Sequence, residues 1–272
     1  MLLEKINTAG GPVFYISPQL REAGVPHAFS TRLGGLSPPP FDSLNLGNPS
    51  GGVRDDRNRI LDNYALLERA AGLAERERCW LHQVHGKTVV NVLRGCGHDN
   101  AAQGDALVTG DSSRTLSVRV ADCCPVLLCT SDGRHVAAVH SGWRGAVANV
   151  VSEALRMLLE RRNADGLSAS AGDVLAAIGP CIGFEAFEVG PEVLEEFQRI
   201  FECDAPVQAH ANGKGRADIR AAIRLSLLAA GIPARNIDTT DRCTHRDRAE
   251  FFSHRRDKGL TGRMAALIAT RQ

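Results

Sequence analysis

Three short stretches carry residue types that bind metals or attack carbon. The first is Leu81-His82-Gln83-Val84-His85-Gly86, with two imidazoles three residues apart next to Trp80. The second, Ala121-Asp122-Cys123-Cys124-Pro125-Val126, sets two thiols and a carboxylate between two apolar runs. Pro125 disfavours helix at Cys124, so this stretch reads as a sharp break between strands. The third, Ala138-Val139-His140-Ser141-Gly142-Trp143-Arg144-Gly145, ends an apolar run in an imidazole and follows it with glycines that admit close backbone approach. Each has a plainer reading when taken alone: a hydrogen-bonded histidine, a buried thiol, a corner between strand and helix. Together they offer one Cys and two His, which suits a tetrahedral Zn²⁺ with three protein ligands and an open position, the pattern of a catalytic zinc site. No CxxC pair, the usual mark of structural zinc, occurs in the chain. Zinc lowers the pKa of a bound water to about 7 and so supplies a nucleophile at neutral pH.

Anion recognition has candidates as well. Cys243-Thr244 is followed by Phe251-Phe252-Ser253-His254-Arg255-Arg256-Asp257, where an arginine could grip phosphate or carboxylate through two nitrogens. The alternative is a surface Arg–Asp network. The helix expected after Gly142 would point its N-terminal N–H groups at the His140 turn, another place for an anion.

These residues need a scaffold. Residues 55–78 carry helical periodicity, with Ile60, Tyr64, Leu67 and Ala71 on one face. Strand-like runs follow at 88–93, 106–108, 116–120, 126–129, 136–140 and 174–178. Helices are expected over 146–162, 191–202 and 218–230, the last stopped by Gly231 and Pro233. Residues 34–52 form a long Gly/Ser-rich loop containing Pro38, Pro39 and Pro40, and long loops are disproportionately functional. Strands alternate irregularly with helices, and no repeat or linker divides the chain. The expectation is α+β: one compact domain over residues 1–272, with mixed β-sheets and packed helices.

Composition narrows the function classes. The 32 Lys+Arg against 31 Asp+Glu argue against a general nucleic-acid or membrane-surface binder while leaving room for a local basic pocket. The N-terminal stretch lacks the basic and apolar regions of a signal peptide, and no apolar run approaches the roughly 20 residues of a membrane span. The eight cysteines are irregularly spaced, which suits thiols in a reducing cytoplasm better than a disulfide framework.

Taken in order, the motifs resemble one family over most of the chain, from about Pro26 to Ala269. It is the family long called multicopper polyphenol oxidase or laccase-domain proteins, now regarded as purine nucleoside phosphorylases. Besides the stretches above, the resemblance rests on His27-Ala28-Phe29-Ser30-Thr31-Arg32-Leu33-Gly34-Gly35-Leu36-Ser37 and Ser43-Leu44-Asn45-Leu46-Gly47. It continues in Ile178-Gly179-Pro180-Cys181-Ile182-Gly183, Phe187-Glu188-Val189-Gly190 and Thr261-Gly262-Arg263-Met264-Ala265. The resemblance implies His85, Cys123 and His140 as the zinc ligands, choosing His85 over His82 and Cys123 over Cys124. It implies phosphorolysis of adenosine and inosine, with methylthioadenosine cleavage and adenosine deamination associated. Within it, Asp122 and Arg144 are candidate catalytic residues. Arg32, Asn45 and Arg255 are candidate contacts for substrate, with Arg32, Arg144 and Arg255 the candidates to hold phosphate. Partners would be purine nucleosides and phosphate; the sequence leaves the oligomeric state open. His254 stands where the family often has Tyr, and Ala217-Asp218-Ile219 replaces a more usual Leu-Asp-Leu, so substrate preference is less determined than the metal site.

Three rival readings remain. A multicopper oxidase needs about ten His ligands, many as HxH pairs, together with a blue-copper site. This chain has nine His and no HxH pair, and its Met residues stand at positions 1, 157 and 264. Copper could still occupy the same three ligands, because it binds such sites more tightly than zinc. A Cys–His hydrolase would use Cys123 as nucleophile and His140 as base. A non-catalytic, zinc-stabilised binding protein would leave the open coordination position without a role.

Overall fold

The computed structural model describes residues 1–49 and 51–272. Two six-stranded sheets form its centre. In chain order the strands of the first are β1 (Glu4–Asn7), β2 (Val13–Ile16), β3 (His27–Ser30), β4 (Glu77–Cys79), β7 (Arg114–Val120) and β15 (Met264–Ile268). The second holds β5 (Val89–Val92), β6 (Ala106–Thr109), β8 (Cys124–Thr130), β9 (Val136–Ser141), β10 (Val174–Ile178) and β14 (Ile237–Asp238). The spatial orders are β1-β2-β3-β15-β7-β4 and β14-β10-β8-β9-β6-β5. Both sheets are mixed, with β4–β7, β5–β6 and β10–β14 parallel. A small third sheet joins β11 (Glu188–Val189), β12 (Val207–Ala209) and β13 (Gly215–Ala217). Six α-helices complete the described residues: α1 (Pro18–Glu22), α2 (Arg57–Ala70), α3 (Trp143–Val147), α4 (Val150–Ala164), α5 (Pro191–Phe201) and α6 (Ile219–Ala229). This is the α+β domain with mixed sheets expected above.

Side-chain alternation explains the layering. In β8, Leu127 and Cys129 point into one core with Leu116, Val118 and Ala266 of the first sheet, while Val126 and Leu128 point the other way, into a core shared with α4 and α6. Strand β15 does the same for the first sheet. Met264, Ala266 and Ile268 face the second sheet, and Ala265 and Leu267 face Tyr64 and Leu67 of α2. The result is helix, sheet, sheet, helix. A strand buried on both faces reads as a continuous apolar run, which is why all seven residues of β8 are buried.

Several expected elements end elsewhere. The helix expected over 55–78 stops at Ala70, because Gly72 takes φ +70° and Leu73 N–H closes back on the Glu68 carbonyl; the rest of the window goes into β4. The helix expected over 146–162 is two helices, α3 and α4, parted at Asn149 in the left-handed region. Of residues 34–52, Ser50 lies outside the described residues, and the stretch 35–48 is tied down by buried polar groups. Ser37 and Asn45 donate to Asp55 at 2.5 and 3.1 Å, and Asn63 donates to Ser37 Oγ and to the Asn45 carbonyl, each at 2.9 Å.

Candidate metal centre and its cavity

Strand ends bring the three metal-binding candidates together. Cys123 lies in the tight turn between β7 and β8, where Asp122 adopts φ +86°. His140 is near the end of β9, and His85 lies in the loop before β5, itself at φ +61°. Their donor atoms all lie within 4.8 Å of one another. The two imidazoles stand edge to face, centroids 4.9 Å apart at 81°. A methyl group on Gly142 would lie 3.0 Å from Cys123 Sγ and 3.3 Å from His85 Cδ2, so glycine keeps the space beside the cluster open. Such a His–Cys–His group can bind a metal ion. His82 is exposed outside the cluster, and Cys124 is buried in β8.

Asp105, which sequence reasoning did not single out, organises this cluster. It is fully buried, and its Oδ1 lies 2.8 Å from His140 Nδ1. The same carboxylate accepts the backbone N–H of His85 at 2.9 Å and of Gly86 at 2.6 Å. One aspartate therefore orients both histidines, leaving Nε2 of His140 for a metal, the usual arrangement behind a metal-binding imidazole. Burial pushes the Asp105 carboxyl up, but the His140 ring and these amides bring it below the ordinary carboxylate range. Burial likewise raises the Cys123 thiol. The charge on His140 and hydrogen bonds from His140 and His85 reverse this and lower it to about 6. Burial lowers His140, yet Cys123 and Asp105 lift it to about 9. Without a metal the pair is thiolate and imidazolium, so Cys123 is already in the form that ligates.

The cluster opens into a cavity of about 840 Å³. Ile182, Phe187, His254 and Arg255 line one part; Arg119, Arg263 and Gly47 line another; Tyr64, Arg78 and Trp80 contribute an aromatic, cationic part. Arg78 lies over the Tyr64 ring at 3.6 Å and pairs with Glu68 at 2.7 Å.

The other sequence candidates fall into distinct places. Asp122 lines the cavity, and its carboxylate accepts Thr244 Oγ1 at 2.6 Å, Ser253 Oγ at 3.0 Å and the Arg255 N–H at 2.7 Å. This ties the 243–257 stretch to the Cys123 turn. Arg255 lines the cavity and donates to the Glu188 carbonyl at 2.8 Å. Three candidates lie away from the cavity lining. Arg144 is exposed and stacks on Trp143 at 4.5 Å, and α3, at five residues, is too short to present an anion site of its own. Arg32 is held by Asp42 and lies 4.6 Å over Phe252. Asn45 is fully buried, and its Oδ1 accepts the N–H groups of Gly47 and Arg263. Arg54, Arg57, Arg78, Arg119 and Arg263 are the cavity arginines that sequence reasoning left unassigned. Arg263 stood inside a quoted motif, whereas an isolated Arg119 in a strand gives no signal of its own.

The chain matches the family model described as multi-copper polyphenol oxidoreductase laccase over residues 26–271. Among similar proteins is the Escherichia coli (strain K12) purine nucleoside phosphorylase YfiH, 39% identical over 246 residues, covering 90% of this chain and 93% of that protein. Purine nucleoside phosphorylase YlmD of Geobacillus stearothermophilus is 34% identical over 260 residues, with 92% of each chain covered. The crystal structure of YlmD from Geobacillus stearothermophilus superposes with a TM-score of 0.84 at 32% identity, covering 98% of this chain and 99% of that one.

Proposed function

We propose, for a chain that belongs to the multi-copper polyphenol oxidoreductase laccase family, that it is a zinc-dependent purine nucleoside phosphorylase acting on adenosine, inosine and methylthioadenosine. The observation that carries this reading is the convergence of His85, Cys123 and His140 on a cavity rich in arginines. The relatives named as purine nucleoside phosphorylases support it. The donor set fits zinc: two imidazoles and a thiolate, with Asp105 fixing one ring. Bound there, zinc would act as a Lewis acid on an oxygen at its open position.

In phosphorolysis an oxygen of hydrogenphosphate forms a bond to C1′ while the bond from C1′ to the base nitrogen breaks. The electron pair leaves with the base, and the hydrogen of hydrogenphosphate ends on that nitrogen. Products are the free base and ribose 1-phosphate. Phe187 and Ile182 offer an apolar seat for the base, and arginines hold the phosphate against the ribose. We read Asp122 as a positioning residue for Arg255, because its Oδ2 accepts the Arg255 backbone N–H. Arg32, Arg144 and Asn45 make no direct substrate contact in this mechanism, since none lines the cavity. Adenosine deamination would need a general acid/base beside the metal for proton transfer. The arginine-rich cavity favours phosphorolysis as the primary activity in this reading. Copper in place of zinc would be adventitious: the described residues contain one His/Cys cluster, and a multicopper oxidase needs several copper sites. The cytoplasm suits a site that requires reduced Cys123.

One observation favours a second reading. Without metal, Cys123, His140 and Asp105 form thiolate, imidazolium and carboxylate in the order of a Cys–His hydrolase. His85 separates the two readings, because a hydrolase has no use for a second imidazole at the thiol. His85→Ala is expected to lose bound zinc and nucleoside turnover together. Retained turnover in a zinc-free His85→Ala protein would favour the hydrolase.

A further inference from the structure

Arg119 and Arg263 lie on the same face of the first sheet. Arg119 of β7 pairs with Ala265 of β15, and Arg263 stands two residues before Ala265, on the same side of the chain. That is the diagonal cross-strand position, within reach of long side chains. Gly47 marks how close they come: a methyl group there would lie 3.0 Å from Arg119 Cδ and 3.4 Å from Arg263 Cβ.

Both backbones are held from outside. The Gln83 side chain pairs with Arg119 like a neighbouring strand, accepting its N–H and donating to its carbonyl, each at 2.8 Å. Because Gln83 sits two residues before His85, the same contact ties the metal-binding loop to Arg119. Asn45 accepts the Arg263 N–H at 2.9 Å, and Leu46 N–H donates to the Arg263 carbonyl at 2.9 Å. The side chains are treated differently. Arg263 Nη1 donates to the carbonyls of Thr261 and Gly262, each at 3.0 Å. The Arg119 guanidinium has no hydrogen-bond or carboxylate partner among the described residues, and Arg263 has no carboxylate partner among them. Burial and then the Arg119 charge lower the Arg263 guanidinium, a sign that the pair is neither well solvated nor neutralised. Two like charges held together in a cavity are unfavourable unless a ligand compensates them.

We propose that Arg119 and Arg263 form a two-pronged oxyanion site that takes inorganic phosphate as the attacking co-substrate, with Gln83 and Asn45 positioning the prongs. The assignment rests on the phosphorylase reading for the identity of the anion, and it moves phosphate recognition from the three arginines expected from sequence to a pair set beside the metal cluster.

The test compares the zinc-loaded wild type with Arg119→Gln and Arg263→Gln. It measures KM for phosphate, KM for nucleoside, and thermal stability with and without inorganic phosphate. KM for phosphate should rise roughly 10- to 100-fold in each variant, while KM for nucleoside changes little. In phosphate-free buffer Arg119→Gln should melt no lower than wild type, since it removes a repelling charge and no contact. Phosphate should stabilise wild type and fail to stabilise the variants. An unchanged KM for phosphate overturns the assignment, as does a lower melting temperature with both KM values raised equally, which marks a structural role. If wild type is stabilised by phosphate, the variants are not, and no nucleoside is cleaved, the anion site stands and the phosphorylase reading falls. If phosphate does not stabilise wild type, the site falls.

Discussion

At the scale of single residues, the arrangement depends on carboxylates that do no chemistry themselves. Asp105 accepts from the His140 ring and from three backbone amides of the His85 loop. An asparagine in its place has one oxygen to offer where the carboxylate uses two, and must turn an N–H₂ toward N–H donors. Asp105→Asn should therefore weaken zinc binding roughly 10- to 100-fold, measured by competition with a chromophoric chelator. An unchanged affinity would mean that His140 needs no orienting partner. Cys123 and His140 could be put forward from the sequence because each lies at a strand break, but the choice of Cys123 over Cys124 came from the family resemblance. Asp105 could not be, because a lone aspartate before a strand looks like any turn residue until its partners are known. Asn45 misled for the opposite reason: it sits in a distinctive motif, and that motif serves to hold Gly47 and Arg263 in place.

At the scale of elements, the long periodic helices and the buried strands of the second sheet could be read directly: α5, α6, β8, β9 and β10 lie close to where periodicity puts them. Of the first sheet only β7 could be read, from the run at 116–120. Its strands β1, β2 and β3 are four residues each, and β15 joins β3 to β7 from the far end of the chain. Short strands carry little periodicity, and their partners are set by tertiary packing. The overrun of α2 had a visible stop signal in Gly72, whose φ is +70° with nothing within 4 Å of an added Cβ. Gly72→Ala should thus destabilise by about 1 kcal/mol through backbone conformation alone, read as a lower urea midpoint with unchanged slope. No change would mean that the helix is stopped by something other than this residue. The β7–β8 turn is the element on which the site hangs. Asp122 at φ +86° reverses the chain so that Cys123 faces the cavity, and its carboxylate anchors the loop that carries Arg255.

At the scale of the whole molecule, near-neutral charge conceals a segregated distribution. The net charge is +1, yet Arg54, Arg57, Arg78, Arg119, Arg255 and Arg263 line one cavity in which Asp122 is the only carboxylate among the lining residues. Such focusing draws an anion to the cavity and not to the surface at large. The two sheets supply the rigid frame. The metal cluster is assembled from β9, the β7–β8 turn and the loop before β5, and Arg119 and Arg263 come from β7 and the residue before β15. In the proposed function, metal and phosphate are set by the same packed core.

The central claim is that this cavity cleaves a nucleoside with phosphate. The most direct measurement is product analysis of zinc-loaded protein incubated with adenosine, with and without phosphate, beside Cys123→Ala. Adenine and ribose 1-phosphate should appear in equal amounts, only when phosphate is present, and should vanish in the variant. Free ribose, inosine formed without phosphate, or no turnover from fully zinc-loaded protein would contradict the account.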